Sequence, residues 1–241
     1  MRKSKYEDVL AQPERWLTDL QRRWLRPRSA FARTAHTLMY LVNWLSVRLL
    51  FRFSVEGGEH LPASGPFIIT PNHASPLDPQ FLSAALPLAL LRHAYWAGKE
   101  RTVLKTWLRR TLSWYTQTVP IADDATALAP AVTILERGNK LIWFPEGARS
   151  LHGELHEFKP GVVRLLTKCN VPVVPVYIHG AHAACPGSKT IPRLWTRVVV
   201  RIGPPATAEQ LGLKQATTED VNRAIDSLQR SVMRLRDQSS S

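Results

Sequence analysis

Phe67-Ile68-Ile69-Thr70-Pro71-Asn72-His73-Ala74-Ser75-Pro76-Leu77-Asp78 begins as a strand and ends as the start of a helix. Open α/β sheets place their binding sites beyond the carboxyl ends of strands, and His73 stands at such an end. Ser75, Pro76 and Asp78 read as N-cap, N1 and N3 of the next helix. That turn would carry the Asp78 carboxylate back toward His73. A carboxylate bonded to one imidazole nitrogen fixes the tautomer and leaves the other nitrogen as a base. With an unperturbed pKa of ~6.5, imidazole suits proton removal from an alcohol near neutral pH. The plainer reading of the same residues is a capped helix beside a loop histidine. No Ser or Cys is evidently paired with His73 as a nucleophile, which favours direct attack by a substrate hydroxyl.

Leu141-Ile142-Trp143-Phe144 is a second strand that runs into a polar cluster, Pro145-Glu146-Gly147-Ala148-Arg149-Ser150. Gly147 allows a tight turn or a close backbone approach to a ligand. Arg149 offers a planar fork of donors suited to phosphate. The Glu146 carboxylate serves either a ligand hydroxyl or the pinning of the loop. Phe158-Lys159-Pro160-Gly161 then opens a helix whose N-terminus, with Lys159, adds to an anion site. His152-Gly153-Glu154-Leu155-His156 lacks the spacing of a zinc helix motif and has no third ligand in view, so no metal is expected.

Around these clusters, strand-like runs at 93–97, 116–121, 173–178 and 198–202 alternate with helical runs at 76–91, 101–113, 125–138 and 161–169. Such alternation predicts an α/β fold: a mixed, largely parallel sheet flanked by helices. Residues 1–52 read as two N-terminal amphipathic or interfacial helices, 6–25 with Pro13 interrupting it and 30–52, that form an appendage docked on the core or facing a membrane. Residues 53–210 form the α/β domain. Residues 211–241 carry an amphipathic helix capped by Thr217 and Asp220, then a frayed Ser239-Ser240-Ser241 tail.

Composition narrows the partners. The 241 residues are 44% apolar, enough for a core. Lys plus Arg number 32 against 19 Asp plus Glu, a net charge of +13 that attracts polyanions: nucleic acid, anionic membrane or phosphorylated substrates. Eight Trp residues and a basic N-terminal third favour a membrane surface. So do the basic and apolar residues interleaved from Lys99 to Leu112. A basic nucleic-acid-binding protein without enzymatic activity is the alternative of another class. It would explain the charge but not two polar clusters at strand ends, and no nucleic-acid motif is present, so no nucleic acid is expected. The uncharged stretch from Thr34 to Val47 is short of the ~20 apolar residues a bilayer crossing needs. The basic N-terminus has no apolar run behind it and is not a signal peptide. Cys169 and Cys185 read as reduced thiols of a cytosolic protein.

On these residues the chain resembles the glycerolipid acyltransferase family. Its first motif, Asn-His-x4-Asp, is met by Asn72, His73 and Asp78. Its third, Phe-Pro-Glu-Gly-Thr-Arg, is met by Phe144 to Arg149 with Ala148 in place of Thr. Phe158, Lys159 and Gly161 match Phe-Lys-x-Gly, and Val171-Pro172-Val173-Val174-Pro175-Val176 matches the fourth motif. Ala97-Gly98-Lys99-Glu100 is similar to the family's Ala-Lys element. The second motif usually ends in Arg, whereas Val119-Pro120-Ile121-Ala122-Asp123 has none. The resemblance covers about residues 55–205. It implies acyl transfer from acyl-CoA or acyl carrier protein, as co-substrate and without a cofactor, to a lysophospholipid hydroxyl in phospholipid biosynthesis. The acceptor it implies first is 1-acyl-glycerol-3-phosphate, with a different lysolipid as the alternative. His73 would be the base and Asp78 its orienting group. Asn72, Lys99, Glu146, Gly147, Arg149 and Lys159 would form the acceptor pocket. The enzyme would sit on the cytoplasmic face of an anionic membrane, peripheral or monotopic.

Overall fold

The computed structural model describes residues 5–187, 189, 191–215 and 217–238. The frayed tail expected at Ser239–Ser241 lies outside them. Seven strands form one sheet: β1 (Arg52–Glu56), β2 (Ile68–Pro71), β3 (Ala94–Lys99), β4 (Thr118–Ile121), β5 (Lys140–Ile142), β6 (Val173–His179) and β7 (Arg197–Ile202). Their order is β1-β7-β6-β2-β5-β3-β4, and every neighbouring pair is parallel except β6 with β7. This is the α/β, largely parallel architecture read from the alternation of strands and helices.

Helices cover both faces. In chain order they are α1 (Lys5–Ala11), α2 (Asp19–Trp24), α3 (Ala30–Leu50), α4 (Asp78–Ala85), the single turns α5 (Leu88–Leu91) and α6 (Glu100–Val103), α7 (Trp107–Tyr115), α8 (Leu128–Glu136), α9 (Gly161–Cys169), the turn α10 (Ala181–Ala184) and α11 (Thr218–Asp237). A strand covered on both sides is apolar at successive positions, because its side chains alternate between two cores. Ile68, Leu141 and Val173 pack with Leu128 and Val132 of α8, Leu165 of α9 and Leu228 of α11. The next residues along each strand, Ile69, Ile142 and Val174, join Phe81 and Leu82 of α4 and Val47 of α3 on the other face. Fully burying a side chain such as Phe81 or Leu82 contributes about 1.5–3 kcal/mol.

The N-terminal segment divides. Val9 and Leu17 are buried in the α8 core, so residues 5–25 dock on the body. Pro13 ends the first helix and opens a 3-10 turn, Pro13–Trp16. Helix α3 is capped by Ser29, whose Oγ accepts from Ala32 N at 3.2 Å. The Arg28 guanidinium donates to the Trp114 and Tyr115 carbonyls at the end of α7, tying the two helices together. Away from these contacts, Phe31, Leu38, Val42, Leu45 and Leu49 of α3 are exposed. Offsets of seven, four, three and four put them on one outward stripe.

Four local readings are corrected. The helix after His73 begins at Asp78 rather than at Pro76, and Ser75 does not cap it: its hydroxyl accepts from Leu77 N and donates to Cys185 O. The helical run at 76–91 breaks before Pro87, which caps α5. The run at 101–113 breaks at Thr106, which caps α7. Finally, Thr217 caps α11 by accepting from Asp220 N, but the Asp220 carboxylate accepts from Gln215 N, so the reciprocal bond to Thr217 is not made.

Candidate active site

Because β2, β5, β3 and β4 lie side by side and parallel, their carboxyl ends share one edge. That edge gathers His73 after β2, residues 143–149 after β5, Lys99 at the end of β3 and Asp123 after β4. They surround a cavity of about 980 Å³ whose wall includes His73, Lys99, Gly147, Arg149 and Lys159.

Asp78 is buried at the first position of α4, where the helix N-terminus favours negative charge. Its Oδ2 accepts from His73 Nδ1 at 2.8 Å and from the Ala74 and Ser75 N–H groups, each at 2.7 Å. Burial pushes the Asp78 carboxyl up, while the imidazole and the two N–H groups pull against it. With Nδ1–H committed to Asp78, Nε2 is the nitrogen left to meet a substrate. The ring stacks on Phe144, with centroids 4.1 Å apart, and Trp96 extends the stack at 6.4 Å.

Glu146 is the pin of its loop. It is buried, and its two oxygens accept from His73 N at 2.5 Å and His156 N at 2.9 Å. The β5 loop is fastened a second time by Ser150 N, which donates to His73 O at 2.8 Å. Burial pushes Glu146 up to about 7, against the donors at His156 and His73. The folded state therefore holds this proton more tightly than the unfolded chain. Its stabilising contribution is full below the unfolded pKa of ~4.3 and is lost as pH rises through about 7. A shift of this size corresponds to roughly 3 kcal/mol. We expect the denaturant midpoint of the protein to fall between pH 5 and pH 8 through this term. Glu146→Gln should flatten that change and, by losing an acceptor, lower the midpoint at every pH. An equal pH slope in both proteins would remove Glu146 as its source.

Asn72 and Glu146 thus lie behind the cavity wall rather than in it, since Asn72 Oδ1 accepts from Ile178 N of β6 at 2.7 Å. Gly147 adopts φ 71°, and a Cβ there would come within 3.0 Å of the Lys159 side chain. The close approach foreseen at Gly147 is therefore made to Lys159. Lys99 Nζ forms an ion pair with Asp123 Oδ1 at 2.8 Å, and Arg101 Nε lies 3.9 Å from Asp123 Oδ2. The Lys99 ammonium holds the exposed Asp123 carboxyl below the usual carboxylate range. Arg101, Arg109 and Arg164 also line the cavity. The sequence reading did not place them there, although Arg101 adjoins the Lys99 element and Arg164 lies one turn into α9.

A family model described as Acyltransferase matches residues 52–179, more than half of the chain. The chain belongs to that acyltransferase family. It is 28% identical over 189 residues to 1-acyl-sn-glycerol-3-phosphate acyltransferase alpha of Mus musculus, covering 76% of this chain and 62% of the relative. It is 30% identical over 185 residues to the 1-acyl-sn-glycerol-3-phosphate acyltransferase of Limnanthes alba, covering 73% and 58%. The chain thus spans about three fifths of the length of these curated relatives. The crystal structure of the 1-acyl-sn-glycerophosphate acyltransferase of Thermotoga maritima superposes with a TM-score of 0.66 at 23% identity, covering 98% of this chain and 95% of the other, and shows the same fold. Within this acyltransferase-family chain, the matched segment runs from β1 to the end of β6 and contains every residue of the dyad and its pinning loop.

Proposed function

We propose that the chain transfers a fatty acyl group from an acyl thioester to the free hydroxyl of 1-acyl-glycerol-3-phosphate. The observation that carries this reading is the His73–Asp78 pair on the wall of a cavity that also presents Arg149 and Lys159. His73 Nε2 accepts the hydroxyl proton as the acceptor oxygen attacks the thioester carbonyl carbon. The C–O ester bond forms, the C–S bond breaks, and the imidazolium proton passes to the departing thiolate. A thiol pKa of ~8.5 makes that thiolate a good leaving group. Acyl-CoA or acyl carrier protein serves as the donor substrate, and no step draws on a cofactor.

Arg149 and Lys159 bind the acceptor phosphate in this scheme, the former through a planar fork. Hydrogen bonds to charged groups contribute about 1.5–3 kcal/mol. Arg149→Ala should therefore raise the acceptor KM by roughly 10–100-fold with kcat changed far less. Steady-state kinetics with lysophosphatidic acid test this, and an unchanged KM would remove Arg149 from the phosphate site.

Asp123 favours a second acceptor. Its carboxylate stands at the end of the segment where the resemblance leads one to expect Arg, and it engages Lys99. A headgroup with less negative charge than a phosphomonoester would meet less competition there. Rates across a panel of lysolipids, lysophosphatidic acid first, separate the two acceptors.

The reading also places the chain peripherally on the cytoplasmic face of a membrane. The apolar stripe of α3 supports this, as do exposed Trp107, Leu108 and Leu112 of α7. Among the described residues, no helix is long and apolar enough to cross a membrane.

A further inference from the structure

Residues 191–197 form a further exposed apolar element that the site does not use. Ile191 is 80% exposed, Leu194 50% and Trp195 69%. Isolated exposed apolar residues are ordinary, but three large ones in five positions are not. The segment is held firmly. Arg193 N donates to Ala184 O and Trp195 N to Leu50 O, both at 2.7 Å, and Arg52 N donates to Thr196 O at 3.1 Å. Trp195 adopts φ 60°, a left-handed conformation that costs a non-glycine residue about 1–2 kcal/mol. The fold thus tolerates strain while its indole faces outward.

The position of the segment is informative. The bond to Leu50 sets Trp195 against the end of α3, beside the last residues of its exposed stripe. Four residues before Ile191, a Cβ on Gly187 would lie 3.4 Å from Leu151, an exposed leucine at the cavity wall. The start of β7 and the residues just before it therefore continue the exposed apolar surface of α3. Lys189, Arg193 and Arg197 are exposed along it, and residues 189–197 contain no acidic side chain. Indole, aliphatic and basic side chains in one strip match the interface of an anionic bilayer.

We propose that residues 191–197 are a further membrane anchor, seated in an anionic bilayer together with α3. The proposal rests on the membrane reading of α3 given above. An interfacial helix can roll about its axis. A second contact off that axis fixes the roll and turns the cavity mouth toward the lipid.

The test uses the full chain with Trp195→Cys in a Cys169→Ser background, labelled with an environment-sensitive nitrobenzoxadiazole probe. On vesicles of phosphatidylcholine and phosphatidylglycerol, the probe emission should rise, shift to the blue and be quenched by lipids carrying a shallow nitroxide. Ile191→Ser with Trp195→Gly should weaken vesicle partitioning roughly tenfold or more, as two lost apolar contacts imply. Glycine suits the left-handed backbone there, so this variant should fold and still acylate a monodisperse short-chain lysolipid at the unaltered rate. If the chain floats with the vesicles while the probe stays in water, the anchor is refuted and the α3 reading stands. If the unlabelled chain does not float at all, the α3 reading falls and the anchor with it. A probe that responds only to an acidic acyl carrier protein would make the segment a protein dock and overturn the membrane assignment.

Discussion

His73→Ala should lower acyl transfer by about 10²–10⁴-fold, the usual contribution of a general base, while leaving the protein folded. The structural side of this expectation follows from what the imidazole touches. It stacks on Phe144 and bonds Asp78 Oδ2, but the same oxygen keeps its bonds from Ala74 N and Ser75 N when the ring is gone. The loop is also held by backbone atoms, through His73 N to Glu146 and Ser150 N to His73 O, and alanine preserves both. Losing one hydrogen bond costs about 1 kcal/mol. Single-turnover rates paired with urea midpoints separate the two effects. A folded His73→Ala protein that still transfers acyl groups at the original rate would leave the site without its base.

The parts of this molecule that were legible in its sequence share a property: their signal is local. Helix α9 follows Pro160 and carries its apolar face at helical spacing, and it was read at its observed bounds, 161–169. Strand β6 is a run of apolar residues because both its faces are covered, which is visible without knowing its neighbours. Strand β1 shows the opposite case. Arg52, Ser54 and Glu56 alternate with Phe53 and Val55 at the sheet margin, and only pairing with β7 makes them a strand. The role of Glu146 was open for the same reason. Whether it meets a ligand or the loop depends on His73 N and His156 N, which the fold brings to it. Likewise, Asn72 reads as a candidate ligand-binding residue until β6 arrives alongside and donates Ile178 N to it. Spacing within a motif was enough to pair His73 with Asp78. It was not enough to tell which polar residues line the cavity and which hold the wall in place.

Asp78 is where structure and chemistry are hardest to separate, and two substitutions divide them. Asp78→Ala removes the acceptor of two backbone N–H groups in a buried turn. Each unsatisfied donor costs about 1–3 kcal/mol, so the variant should be destabilised by roughly 2–6 kcal/mol. Its low activity would then say little about mechanism. Asp78→Asn keeps the volume and one oxygen to receive those N–H groups, so it should fold with a far smaller loss. With that oxygen at the Oδ2 position the bond to His73 Nδ1 is kept as well, but the negative charge that favours the imidazolium formed when Nε2 takes the proton is lost. We expect a rate loss of about 10²–10⁴-fold, comparable with removal of the imidazole itself. The decisive measurement is the double variant His73→Ala with Asp78→Asn. Residues that act as one unit are strongly non-additive. Once the base is absent its orienting carboxylate has nothing left to orient, and the double variant should be no slower than His73→Ala alone. A double variant slower by the product of the two single losses would show that Asp78 acts on the reaction independently of His73, contrary to the hydrogen bond that joins them.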